Sequence, residues 1–246
     1  MTPDLASALS VFSMASDYVR AAGLDAEVEW QRRTNLDRFT ETELLRESAW
    51  VILCTGFREA IVRRIFGHIS LCFCDWESSS AIVAADPACK IAARSSFRNE
   101  AKLNAIFGVA AFVHELGFQV FKTSVVSEPI RQLRRLPFIG PVTVWHLAKN
   151  LGLNVAKPDR HLVRLSNGLG FRDTEEFCSA IAEVSGEDVK VIDLIIWRYL
   201  VDTARSGLRR HANQRAFGER KNIISKISTY NGQVGERMSR SRPGSA

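Results

Sequence analysis

Apolar positions recur at helical spacing along most of the chain, which predicts an all-α fold. Leu5 to Ala22 forms one such face and stops at Gly23, a residue suited to ending a helix. Thr40-Glu-Thr-Glu43 has the form of a capping box, and Leu44 to Cys54 carries the apolar side of the helix it opens. Phe57 to Phe66 continues helically, with Arg58, Arg63 and Arg64 on its polar positions. Glu100 to Leu116 is long and apolar and ends at Gly117. Phe118 to Val126 holds the β-branched residues of a strand, but it is short and unrepeated, so no large sheet is expected.

From Glu128 the punctuation tightens. Glu128 to Leu136 reads as a basic amphipathic helix, Leu136-Pro-Phe-Ile-Gly-Pro141 as a turn, and Pro141 to Asn150 as a second helix halted at Gly152. Pro158 opens a third helix to about Asn167, with Gly168 and Gly170 closing it. Two more helices follow from Thr174, the second being Val189 to Val201.

Charge divides the chain unevenly. Residues 1–204 hold 23 Lys/Arg against 25 Asp/Glu, whereas residues 205–246 hold 10 against 2, so the net charge of +6 belongs to the C-terminal segment. A basic segment suits a polyanion, nucleic acid or acidic membrane alike. The stretch from Gly232, rich in Gly, Ser and Arg, is expected to be a disordered basic tail. The longest apolar runs, such as Ala105 to Val113, fall far short of the ~20 residues a bilayer requires, and no basic start precedes an apolar run at the N-terminus. Neither a membrane span nor a signal peptide is expected. Five cysteines (Cys54, Cys72, Cys74, Cys89, Cys178), odd in number and without a C-x-x-C, fit a reducing cytoplasm. His68, Cys72 and Cys74 lack a fourth ligand at a convincing spacing, so no metal site is expected.

A Pro-x-x-Gly hairpin between two helices presents backbone N–H groups at the start of the second helix. Those donors and the positive end of the helix dipole suit one DNA phosphate. Gly140 leaves room for its approach. Such a device reads backbone rather than base sequence. An ordinary helical hairpin is the competing interpretation.

The stretch Leu136-Pro137-Phe138-Ile139-Gly140-Pro141-Val142-Thr143, followed by Lys157-Pro158-Asp159-Arg160-His161-Leu162-Val163-Arg164-Leu165, resembles the helix-hairpin-helix DNA glycosylase superfamily. Glu47-Ser-Ala-Trp50 and Phe97 to Ala105 are more weakly similar to helices of bacterial 3-methyladenine glycosylases. The resemblance implies a two-lobed helical glycosylase-like domain over residues 1–231, with a central lobe of about 40–127. The second lobe combines the N-terminal helix with 128–231, and 232–246 form the tail. It implies a monomer acting on double-stranded DNA with a modified base, without cofactor or metal. The superfamily's first hairpin Gly is Phe138 here, and its Schiff-base Lys is Val142. The four-Cys cluster motif is absent too, so strand cleavage by an amine is not expected.

By the same resemblance, Asp159 is the catalytic carboxylate that stabilises an oxocarbenium-like sugar, placed in the first turn of its helix. Its competing role is a helix-terminal cap. Phe138, Ile139, Gly140, Val142, Thr143 and His161 would face DNA backbone, with Arg134 and Arg135 on phosphates and Arg131 nearby. Phe138 either crowds the phosphate or points into the core. Thr143 either offers its hydroxyl to the backbone or caps a helix turn. His161 either meets a phosphate or is a satisfied surface residue. Trp50, Trp145 and Trp30 are candidates for a base pocket, although tryptophans at helical spacing are more often core. Glu47 either accepts from a base edge or is a solvated helix residue, the latter being favoured. Lys149 and Lys157 are the nearest amines to the site. A non-catalytic helix-hairpin-helix DNA-binding or scaffold protein is the alternative to an enzyme.

Overall fold

A computed structural model describes residues 2–206, and all regular structure among them is helical. The chain divides into two compact units. A middle unit spans Arg33–Lys157, and a terminal unit joins Met1–Arg32 to the chain from Pro158 onward. The basic tail expected at 232–246 lies outside the described residues.

In the terminal unit, α1 (Leu5–Ala21) buries Ala8, Val11, Ala15 and Val19, a stripe at helical spacing, against α13 (Val189–Ser206). Gly23 ends this run with φ 69°. α2 (Asp25–Arg33), α11 (Arg160–Gly168) and α12 (Thr174–Ser185) complete the described unit. Most of α13 is buried, including Val191, Ile192, Ile196 and the charged Arg198. Arg198 reaches Glu27 of α2 through two hydrogen bonds, Nε–Oε2 at 2.9 Å and Nη2–Oε1 at 2.5 Å.

The middle unit contains α3 (Glu41–Cys54), α4 (Glu59–Cys72), α5 (Ser79–Ala84), α6 (Ala88–Ala93), α7 (Glu100–Leu116), α8 (Phe118–Ser127), α9 (Pro129–Leu133) and α10 (Thr143–Asn150). The Thr40 capping box forms as expected, with the Glu43 N–H donating to the Thr40 hydroxyl and Glu43 accepting the Thr40 N–H. α7 lies at the centre and packs against α3, α5, α6 and α8. No single helix among the described residues is long and apolar enough to cross a membrane. The bent pair α7–α8, turning by 98°, passes that test only jointly, and Val109, Ala110, Val113, Phe121 and Val125 of this pair are buried in the protein core.

Several expectations are corrected. Phe118 to Val126 is helical, because burying Phe121 and Val125, four residues apart, outweighs the strand preference of its β-branched residues. α4 starts at Glu59, since Thr55 is extended and Gly56 takes φ 73°. The division between units also falls elsewhere: the hairpin belongs with the middle unit, not with the N-terminal helix. Leu133, Leu136, Ile139, Val144, Leu147, Ala148 and Leu151 join the same buried cluster as Leu44, Ile52, Leu103 and Val113, which anchors the hairpin there.

Candidate functional site

The hairpin is built on buried leucines. α9 ends at Leu133, and Leu136 and Ile139 turn inward, joined by a 3.2 Å hydrogen bond from the Ile139 N–H to the Leu136 carbonyl. Pro137 packs on α7 at Gly108, where an added Cβ would stand 3.2 Å from Pro137 Cγ. That glycine therefore permits the close approach of the loop to α7. Phe138 takes φ 67°, the left-handed region that glycine occupies most cheaply. It is 45% exposed, so its ring does not enter the core.

The second helix starts two residues later than Pro141. The Gly140 N–H donates to Thr143 Oγ1 at 2.7 Å, and the Thr143 hydroxyl lies 3.3 Å from the Gly140 carbonyl. The Thr143 hydroxyl thus closes the hairpin turn on itself. The Gly140 carbonyl also accepts the Val144 N–H at 3.0 Å. The N–H groups of Val142 and Thr143, at the start of α10, make no hydrogen bond among the described residues. They are the donors such a helix start offers an anion. An added Cβ on Gly140 would meet only Thr143 Oγ1, at an ordinary 3.7 Å, so the packing around this position does not itself demand glycine.

The hairpin arginines differ in their commitments. Arg131 is paired with Glu128 at 3.0 Å, and its guanidinium holds that carboxylate below the usual range. Arg135 donates to Gln132 and lies over the Phe112 ring at 5.1 Å, whereas Arg134 is the exposed C-cap residue of α9.

Glu47 overturns the expectation of a solvated helix residue, being 5% exposed. Its Oε2 accepts from Asn150 Nδ2 at 2.8 Å, and its Oε1 lies 3.1 Å from Arg46 Nη1. Burial raises its pKa, opposed by Arg46 and the Asn150 amide. Trp50, half-buried, meets Phe66 edge-on at 5.0 Å with the Arg63 guanidinium 5.6 Å from its ring. Trp145 is a half-buried residue packed against the hydrophobic core. Both behave as core-flanking aromatics.

Two neighbours carry no clear mark in the sequence pattern. His146 is held well below its ordinary pKa by burial and by the nearby charges of Lys157 and Lys149, so it stays neutral at pH 7. Lys102 is buried in α7, and its Nζ donates to the Leu53 carbonyl at 2.9 Å and to the Thr55 carbonyl, satisfying the C-terminal end of α3. A charged residue inside the apolar Glu100–Leu116 run is the one signal that points to it.

In the terminal unit, Asp159 is the N-cap of α11 and precedes its first turn. Its Oδ1 accepts the His161 N–H at 2.8 Å. The expected position within the first turn shifts because Pro158 lies outside the helix, which begins at Arg160. His161 is half-buried, with Nε2 3.3 Å from Arg160 Nε. Trp30 lies on α2 in the same unit and is partly exposed. His68 Nε2 lies 3.4 Å from Cys72 Sγ and 3.0 Å from Ser95 Oγ, and among the described residues no group of three or more His, Cys, Asp or Glu is arranged to hold a metal ion.

The chain matches no protein-family model, no curated protein and no solved structure.

Proposed function

We propose that the chain is a monofunctional DNA glycosylase of the helix-hairpin-helix kind. It binds double-stranded DNA as a monomer, flips a modified base out of the stack, cleaves its N-glycosidic bond and leaves an abasic site. The observation that carries this reading is the hairpin, whose Val142 and Thr143 N–H groups stand open at the start of α10. A DNA phosphate fits these donors and the helix dipole behind them. As the base departs, positive charge develops at C1′ and the ring oxygen. The Asp159 carboxylate stabilises that charge, water adds to C1′, and the leaving base takes up a proton. Val142, at the position of the Schiff-base amine, has no side-chain nitrogen to attack the sugar, so the phosphodiester stays intact. Unstacking costs least where modification has already weakened the pairing, which favours a damaged base over its normal neighbours.

A non-catalytic DNA-binding protein is the second reading, favoured by Asp159 serving as a helix cap. Duplexes carrying single alkylated, oxidised, deaminated or hypermodified bases separate the two. Breaks revealed only after alkali, and absent with Asp159→Asn, are expected for the glycosylase. Breaks that need no alkali would overturn the monofunctional mechanism. Intact substrates throughout, with salt-sensitive binding, would favour the second reading.

A further inference from the structure

Four non-glycine residues among those described have left-handed backbones: Cys74, Asp75, Trp76 and Phe138. Burial accounts for Trp76, which is 2% exposed and donates from Nε1 to Ser70 Oγ at 2.9 Å. Phe138 has no such compensation. Its backbone sits at φ 67°, where glycine would be less strained, while nearly half of the residue remains open to solvent. An apolar ring in a strained turn, only partly buried, adds little to stability.

Phe138 is not isolated. Lys102 Nζ lies 5.9 Å from the Phe138 ring centroid and 4.5 Å from that of Phe57. Phe57 is 41% exposed and braced from behind by Phe97, with ring centroids 5.3 Å apart at 60°. Two partly open rings thus lie against one buried ammonium, itself fixed by the Leu53 and Thr55 carbonyls. The exposed Arg58 follows Phe57, and Arg134, Arg135 and the open Val142 N–H share the hairpin with Phe138. Aromatic faces among cations and phosphate donors match a nucleotide: the rings take the base, and the donors take the phosphate. An apolar protein segment would make no use of those cations and open N–H groups.

We propose that Phe138, with Phe57 beside it, is a stacking surface for an unpaired nucleobase of the DNA whose phosphate the hairpin holds. The inference rests on the nucleic-acid reading above, and it makes Phe138 a positioning residue of this hairpin. Stacking on a ring face is indifferent to base identity, so the contact strengthens binding to any helix with an unpaired base. It leaves the chemistry to other groups.

The test uses the full chain and a fluorescein-labelled duplex with one tetrahydrofuran abasic analogue, read by anisotropy. A second duplex places 2-aminopurine opposite the analogue. Phe138→Gly relieves the left-handed backbone and removes the ring, Phe138→Leu removes the ring but keeps a side chain, and Phe138→Tyr keeps the ring. Glycine and leucine variants should bind about five- to tenfold more weakly and lose the 2-aminopurine quenching, with tyrosine retaining both. Phe57→Ala should weaken binding in the same direction. Unchanged affinity and quenching in Phe138→Gly, or full retention of both in Phe138→Leu, would overturn the stacking role while leaving the nucleic-acid reading standing. A wild-type protein that binds neither duplex would overturn both.

Discussion

Asn150 Nδ2 donates a 2.8 Å hydrogen bond to Glu47 Oε2, tying α10 to α3 across 103 residues of sequence. Both side chains are buried, so the pair acts as a strut beneath the hairpin. Burial is the dominant influence on Glu47 and raises its pKa, so the folded protein holds that proton more tightly than the unfolded chain does. Stability from this group is therefore greatest on the acid side and falls as pH rises through the folded pKa. Glu47→Gln keeps an acceptor for Asn150 and removes the charge. It should unfold at the same or a higher temperature than wild type at neutral pH, with the advantage shrinking on acidification. Glu47→Ala leaves the Asn150 amide without its acceptor and should cost about 1–3 kcal/mol. Thermal unfolding from pH 4 to 8 checks both, and a glutamine advantage that grows toward acid would contradict the assignment.

Lys102 holds the C-terminal end of α3. Its ammonium gives the Leu53 and Thr55 carbonyls partners they would otherwise lack in a buried setting. Lys102→Met fills similar volume without a donor and should lower stability by about 1–3 kcal/mol in urea unfolding. An unchanged urea midpoint would show that water replaces the amine at no cost.

Much of the helical frame is legible where a local signal and the packing agree. The Ala8, Val11, Ala15 and Val19 stripe, the Thr40–Glu43 capping box and the Gly117 stop each form as read. Phe118 to Ser127 departs from its local β preference, because that preference carries no information about what Phe121 and Val125 bury against. The short helices α5 and α6 carry too few turns for periodicity to show. At the candidate site, the turn around Gly140 is legible from its prolines and glycine. The commitments of Glu47 and Lys102 are not, because each depends on a partner remote in sequence. Phe138 marks the boundary between the two cases. Its place in the pattern is visible, but its left-handed backbone and outward ring exist only in the folded hairpin.

The C-terminal segment should act through charge. Residues 232–246 carry Arg237, Arg240 and Arg242 against Glu236. Deleting them should weaken DNA binding modestly and flatten its dependence on salt, by roughly one in slope for each phosphate that these arginines neutralise. The thermal midpoint should not move. A large loss of stability would assign this segment a structural role instead.

Asp159 separates stability from chemistry. Its carboxylate accepts the His161 N–H and so caps α11, a role asparagine performs about as well and alanine cannot. Asp159→Ala should lower stability by about 1 kcal/mol through loss of the cap, whereas Asp159→Asn keeps the cap and should remain folded. On the glycosylase reading both variants lose base excision, because a neutral amide cannot offset the charge developing on the sugar. The asparagine variant is the decisive one, since it keeps the cap and removes only the charge. Paired measurements of thermal unfolding and alkali-revealed cleavage place it. A stable Asp159→Asn protein that still excises its base would leave Asp159 as a cap alone, and the carboxylate for the reaction would have to be sought elsewhere in the chain.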